Sequence, residues 1–373
     1  MPAHLGSLAA SSSLFAWMTL PTSLGSRALL AAAVSLAIVL LCGSAVIRLL
    51  ASRLGTPQRQ DSKRLAKLHA HKARTPSMGG LLVVGAWLIA ALFMADLTSP
   101  FVQLALLTTV GLTALGAIDD LTKILNRGRG ISGAAKLYAQ GALALAAVFL
   151  VHLCGSEADP SIRIIPGLGW QIELGPWCIP FAVLAIVGTS NSVNLTDGLD
   201  GLAGGCLLFT AGALAFAAWS TMVPGETGEM LVLLAAMLGA VLGFLWFNCS
   251  PARIFLGDTG SLPLGGLLGL AAVVWKQELL LVILGGVFVL ETLSVILQVG
   301  VFKLTRKRVF ACAPLHHHFQ FHGWPEGRIV TRFWFASAIC ATLGIALVAR
   351  TEAEKQGPRF DRSAMEIRET VRR

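Results

Sequence analysis

Apolar residues run along this chain in blocks, with neither strict alternation nor a one-sided stripe. Ala31 to Leu41, Leu81 to Ala95 and Leu279 to Val301 carry few or no charges, and approach the ~20 residues that a helix needs to cross a bilayer. Hydrocarbon offers the backbone no outside hydrogen-bond partner, so only helices or closed barrels can cross it, and these blocks are too long for barrel strands. The pattern predicts an all-α polytopic membrane protein with about ten spans, near 27–49, 78–95, 101–117, 135–153, 177–191, 201–220, 229–247, 261–275, 278–302 and 331–349. An even number places both termini on one side.

The connections between spans sort by charge. The first, third and ninth hold Arg53, Arg59, Lys63, Arg64, Lys67, Lys72 and Arg74, then Lys123, Arg127, Arg129 and Lys136, then Lys303, Arg306, Lys307, Arg308, Arg328 and Arg332. Alternate connections are nearly bare, Arg163 and Lys276 excepted. The positive-inside rule then puts the odd connections in the cytoplasm and both termini outside, in the periplasm. Residues 1–26 read as an interfacial segment, 27–349 as a ten-helix catalytic domain and 350–373 as a polar tail. Composition fits this reading: of 373 residues 55% are hydrophobic and 13% charged, which excludes an ordinary soluble domain. The net charge of +9 is spread over loops with no basic face, so nucleic acid is not an expected partner and the lipid bilayer is. Seven cysteines without a CxxC give no metal site, and Cys154 and Cys178 flank one outer connection.

The unusual polar clusters all fall in the odd connections. Asp119 and Asp120 end an apolar run, with Lys123 a turn further on. Charges this near hydrocarbon answer to a cation, a proton or a substrate, or else cap a helix at the water interface. Asn191 to Leu202 reads NSVNLTDGLDGL, a polar loop without a basic residue in which Gly198 and Gly201 allow a close backbone approach. Asp258 lies between glycines at the mouth of the next span, suited to a hard cation such as magnesium, or simply to capping that helix. His316, His317 and His318 are consecutive and so cannot share one helical face as a zinc protease site would; hydrogen bonding to phosphate is more natural. Lys72, Thr75 and Ser77 place basic groups and hydroxyls before the second span, where a topogenic loop would also put charge. Gly128 to Gly133 matches GxGxxG but lacks the strand that a dinucleotide site requires.

Taken together, DDLTK, NSVNLTDGLDGL, FLGDTGSL and the histidine triplet resemble the polyprenyl-phosphate N-acetylhexosamine-1-phosphate transferase superfamily. Within it, TPSMGG, LGFLWFN and HHHF followed by GWPEGRIVTRFW are similar to the phospho-N-acetylmuramoyl-pentapeptide transferase family, over about Arg53 to Arg350. The resemblance implies transfer of phospho-MurNAc-pentapeptide from UDP-MurNAc-pentapeptide to undecaprenyl phosphate, giving lipid I and UMP for peptidoglycan synthesis. It implies magnesium as cofactor and an active site on the cytoplasmic side of the bacterial inner membrane. By position it makes Asp258 and Asp197 metal ligands and sets Asp119 and Asp120 beside the lipid phosphate. Lys72, Lys123 and Lys136 would neutralise phosphates. Thr75, Ser77, Asn194, Gly198, Leu199, Asp200, Asn248 and Phe255 would line the substrate region, with His316, His317 and His318 near the metal and diphosphate. A sibling transferase using UDP-GlcNAc and an ion-coupled transporter are the alternatives, and a homodimer is left open. Ser77, Leu256 and Gln320 depart from the family's usual threonine, methionine and glutamate.

Overall fold

The computed structural model describes residues 23–53, 75–126, 128–154, 161–165, 170–221 and 225–356. Its helices are α1 (Leu24–Arg53), α2 (Gly80–Met94), α3 (Pro100–Leu125), α4 (Gly133–Cys154), α5 (Cys178–Thr196), α6 (Leu202–Ser220), α7 (Glu229–Asn248), α8 (Asp258–Val274), α9 (Glu278–Leu284), α10 (Gly286–Thr305), α11 (Leu315–Phe321) and α12 (Glu326–Gln356). Eight helical stretches are long and apolar enough to cross a membrane, and α2 and α8 are shorter apolar helices. The chain is thus a helical, multi-pass membrane protein, as its apolar blocks predict.

Three features depart from the sequence expectation. The predicted span at 278–302 is broken at Gly285 into α9 and α10. The connection after α4 contains a two-stranded antiparallel hairpin, β1 (Ile162–Ile165) and β2 (Trp170–Glu173), in register from Ile162 opposite Glu173 to Ile165 opposite Trp170. The last helix continues past Arg350 to Gln356. Residues 1–22, most of the first basic connection and 357–373 lie outside the described residues, and Lys72 with them.

Arg163 shows why a charge count misreads a loop. Rather than resting in water, its guanidinium is buried and gives Nε and Nη2 to the two oxygens of Glu278 at 2.7 and 2.8 Å. That fork fixes the hairpin to the start of α9, and such bidentate geometry is what offsets the cost of burying both charges. Arg27 does the same near the start of α1. It binds both oxygens of Glu229, whose Oε2 also accepts the Asp96 N–H at 2.9 Å, so α1, the end of α2 and the start of α7 meet at one end of the bundle.

At the centre runs α8, buried along its whole length. A helix on the inside must present small residues if its neighbours are to come close. A methyl group on Gly265 would come within 2.5 Å of the Thr189 carbonyl oxygen, and one on Gly269 within 2.8 Å of the Ile186 Cα. These two glycines seat α5 against α8. On another face Gly80 and Gly116 do the same for α2 and α3, since a methyl at either would approach the backbone of Gly260 or Asp258 to 2.1 or 2.2 Å. The helices carrying Asp119, Asp120 and Asn194 are therefore held on the one that Asp258 begins.

Candidate active site

The N-terminus of α8 is the seat of the site. Gly257, at φ 72°, turns the chain in a conformation that favours glycine, and its Cα is so close to Asp120 Oδ2 and Ser77 Oγ that a methyl would meet them at 2.6 and 2.9 Å. Asp258 follows, buried, with Oδ1 accepting a hydrogen bond from Asn194 Nδ2 at 2.7 Å. Ser261, one turn on, accepts a second bond from that amide nitrogen at 2.8 Å, so Asn194 is fixed before any ligand arrives.

Asp119 and Asp120 come from the last turns of α3, both buried. Among the described residues, Asp119, Asp120 and Asp258 form the group that could hold a metal ion, with one oxygen of each lying within 4.8 Å of the others. Each is braced separately. Asp119 Oδ1 accepts the Ile131 N–H at 2.8 Å, from the glycine-rich loop that resembles a nucleotide fingerprint; a methyl on Gly130 would press on the same oxygen at 2.2 Å. That loop thus cradles a carboxylate. Asp120 Oδ2 accepts both the N–H and the hydroxyl of Thr259.

Two ammonium groups enter the cluster. Lys123 Nζ lies 2.8 Å from Asp119 Oδ2, 3.0 Å from Asp258 Oδ2 and 3.5 Å from Asp120 Oδ1. Lys136, in the first turn of α4, donates to Asp258 Oδ2 and is 3.6 Å from Asp119. Asp197, just beyond α5, is the fourth carboxylate. Burial, with the charges of Asp258 and Asp120, pushes its pKa up to about 7 against the pull of the Gly257 backbone amide. Four carboxylates thus gather around two lysines. This hard-oxygen donor set fits a divalent cation of the magnesium type.

The histidines divide among three tasks. His316 is wholly buried, with its backbone N–H on Glu291 Oε1 at 3.1 Å and Nε2 against Gly198. His317 donates from Nδ1 to Gln320 Oε1 at 2.8 Å. His318 turns away; its Nδ1 accepts the Ala311 N–H at 3.1 Å, and burial together with His322 lowers its pKa.

Some residues of the polar motifs brace the loops instead. Asn248 receives the Gly201 N–H at 3.0 Å and donates to the Ile254 carbonyl at 2.8 Å, which occupies both ends of its amide. Asp200 accepts the Ala252 N–H at 2.9 Å, and its own N–H donates to Glu326 at 2.8 Å. Leu199 is buried in the apolar core. The loop bearing Thr75 and Ser77 is strapped to the one before α8: Phe255 N–H donates to the Pro76 carbonyl at 2.9 Å and Gly79 N–H to the Phe255 carbonyl at 2.8 Å. Thr75 reaches the Ala252 carbonyl at 3.4 Å. Thr259, Ser261, Ile131, Glu291 and Glu326 are participants that motif reading did not single out. Thr259, Ser261 and Glu326 lie inside the motifs quoted above, and Glu291 is the lone charge within an apolar run.

The profile of glycosyl transferase family 4 matches residues 102–276, which hold the acid cluster and its paired lysines at one end of the apolar bundle, and marks a membrane-embedded transferase. Two curated relatives, the phospho-N-acetylmuramoyl-pentapeptide-transferases of Rickettsia felis and Rickettsia akari, are each 41% identical over 336 residues, covering 86% of this chain and 92% of theirs. The chain belongs to the phospho-N-acetylmuramoyl-pentapeptide-transferase family.

Proposed function

We propose that the enzyme moves phospho-MurNAc-pentapeptide from UDP-MurNAc-pentapeptide to undecaprenyl phosphate, releasing UMP and forming lipid I for peptidoglycan synthesis, on the cytoplasmic face of the bacterial inner membrane. The observation that carries this reading is the convergence of Asp119, Asp120 and Asp258 with Lys123 and Lys136 at one end of the bundle. The relatives' shared name supports the sugar and peptide assignment.

Phosphoryl transfer asks a protein for positioning and charge neutralisation more than for covalent help. Magnesium, held by Asp258 with Asp197, Asp119 and Asp120 as the further donors, would neutralise charge on the diphosphate. Lys123 and Lys136, already in hydrogen-bond reach of those carboxylates, are set to exchange onto phosphate oxygens as charge builds there. Asn194 and Ser261 keep Asp258 from rotating, and Ile131 and Thr259 do so for Asp119 and Asp120. An oxygen of the lipid phosphate attacks the phosphorus next to the sugar, the new P–O–P bond forms, and the bond to the uridine-bearing phosphate breaks, with UMP leaving. That nucleophile is already anionic, so Asp119 and Asp120 orient it and need not take a proton.

For the isoprenoid chain, a mainly apolar cavity of about 300 Å³ lies between α5, α9 and α10, with Phe181, Leu184, Val289 and Leu293 on its walls and Thr189, Ser192, Thr292 and Glu278 as polar members. Purified protein given undecaprenyl phosphate and either UDP-MurNAc-pentapeptide or UDP-GlcNAc, with UMP as the readout, tests the reading. UMP from the first donor alone is expected; preference for UDP-GlcNAc overturns the assignment. A burst of UMP without lipid acceptor would replace direct attack by a covalent aspartyl route.

A further inference from the structure

Of the buried acids outside the chemistry, Glu229 and Glu278 are each paired with an arginine and Asp200 braces the Ala252 N–H, whereas Glu291 has no lysine or arginine beside it among the described residues. Glu291 lies within α10, fully buried, and an ionisable group inside a membrane helix is expensive unless function retains it. A leucine would pack there at lower cost if support of the bundle were its whole task. Its Oε1 faces a single residue, accepting the His316 N–H at 3.1 Å and lying 3.3 Å from His316 Nδ1. Its other oxygen and both ring nitrogens of His316 are buried without a hydrogen-bond partner among the described residues. Buried polar atoms in that state call for a reason.

The direction of the ring supplies one. A carboxylate 3.3 Å behind Nδ1 favours a proton on that nitrogen and biases the ring plane. Here the opposite nitrogen, Nε2, is aimed at the Gly198 turn, so close that a methyl on Gly198 would meet it at 2.3 Å. Gly198 follows Asp197, whose carboxylate is within electrostatic reach of Asp258 and Asp120. The absent side chain at 198 thus lets the turn that carries Asp197 pack directly on His316, on the flank of the acid cluster. We propose that Glu291 is a positioning residue that holds His316 against the Gly198 turn and so sets the face of the acid cluster that meets the nucleotide substrate's diphosphate. The inference rests on the transferase reading for the identity of that diphosphate.

The test uses full-length, detergent-purified protein with magnesium, and compares wild type, Glu291→Gln, Glu291→Asp, His316→Ala and the Glu291→Gln/His316→Ala double variant. UMP release and calorimetric binding of UDP and of uridine are measured on each. Glu291→Gln is expected to lower kcat by about 10- to 100-fold and to weaken UDP while leaving uridine unchanged. Glu291→Asp, which keeps the charge, recovers part of the loss. In the His316→Ala background the same Glu291→Gln change should alter kcat and UDP affinity by less than about twofold, because a residue acting through His316 has nothing left to act on. Wild-type kcat and UDP affinity in Glu291→Gln would overturn the proposal, as would an equal loss in the presence and absence of His316. If Glu291→Gln fails to fold, Glu291→Asp is read in both backgrounds against the same criterion. A wild type that binds UDP but releases no UMP from UDP-MurNAc-pentapeptide would overturn the substrate assignment instead, and the UDP-versus-uridine comparison would still decide the role of Glu291.

Discussion

Thr259 gives both its backbone N–H and its hydroxyl to one oxygen of Asp120, at 2.9 and 2.7 Å. One carboxylate oxygen from the end of α3 is thereby tied to the first turn of α8, where the helix dipole favours an anion. The other, Oδ1, is left toward Lys123. Asp120 is thus part of a preset constellation rather than a mobile surface acid. Asp120→Asn and Asp258→Ala should each lower UMP release by about 100- to 1000-fold, the scale seen when one preorganised electrostatic group is lost. Thr259→Val, which removes only the hydroxyl, should lose about tenfold, since the N–H remains. Initial rates set beside melting curves check this; near-wild-type turnover in Asp120→Asn removes that residue from the chemistry.

The two lysines should not be interchangeable with arginine. Lys123 places one ammonium among three carboxylates, a task for a compact point charge that a planar fork cannot take up without pushing the acids apart. Lys123→Arg and Lys136→Arg are therefore expected to fall almost as far in kcat as the corresponding methionine variants. Steady-state kinetics on the four proteins decides it, and full activity in either arginine variant would show that positive charge alone suffices.

Removing divalent cations should stop turnover and do more. Packed this closely, the carboxylates repel one another when no cation is bound. Dialysis against a chelator should abolish UMP release and lower the melting temperature by a few degrees, about the shift that 1 kcal/mol produces in a protein this size. Magnesium should restore both together. Activity that survives exhaustive chelation would count against a metal at Asp258.

Much of this arrangement was readable before any coordinates, and the readable part has a common cause. Asp119, Asp120 and Asp258 stood out because acids abutting apolar spans are anomalous, and the structure brings those three together with Lys123, Lys136 and Asn194. Spacing alone failed inside the motifs. Asp197 and Asp200 look equivalent in DGLDG, yet the turn at Gly201, with φ 78°, helps send Asp200 to the Ala252 backbone while Asp197 stays beside the cluster. Asn248 and His318 likewise hold loops. Pairings across long separations were out of reach: Arg163 and Glu278 are 115 positions apart, and nothing local marks either as the other's partner. Glu291 was legible in principle and was lost in the average hydropathy of its span.

Gly116 tests whether helix spacing sets the site. A methyl there would come within 2.2 Å of the Asp258 carbonyl oxygen, a backbone atom that cannot swing aside. Gly116→Ala must therefore move α3 away from α8, separating Asp119 and Asp120 from Asp258. Overpacking of this kind costs about 1–3 kcal/mol. Activity should fall much further than that stability loss explains, because the acids no longer share a ligand. Melting temperature and kcat are the two measurements. Proportionate losses in both would mean that the close approach serves packing alone.

The proposed orientation can be read from two native thiols. Cys249 caps α7 beside Asn248, at the end of the bundle holding the acid cluster, and Cys154 ends α4 at the opposite end from Lys136; both are exposed. Single-cysteine variants retaining one or the other can be treated with a membrane-impermeant maleimide in right-side-out and inside-out vesicles. Cys249 should react in inside-out vesicles and Cys154 in right-side-out ones, because UDP-linked donors are soluble and cytoplasmic while the basic connections face the same compartment. The reverse pattern would put the acid cluster outside the cell, away from any nucleotide donor. Equal labelling of both thiols on one side would be incompatible with α4 crossing the membrane at all.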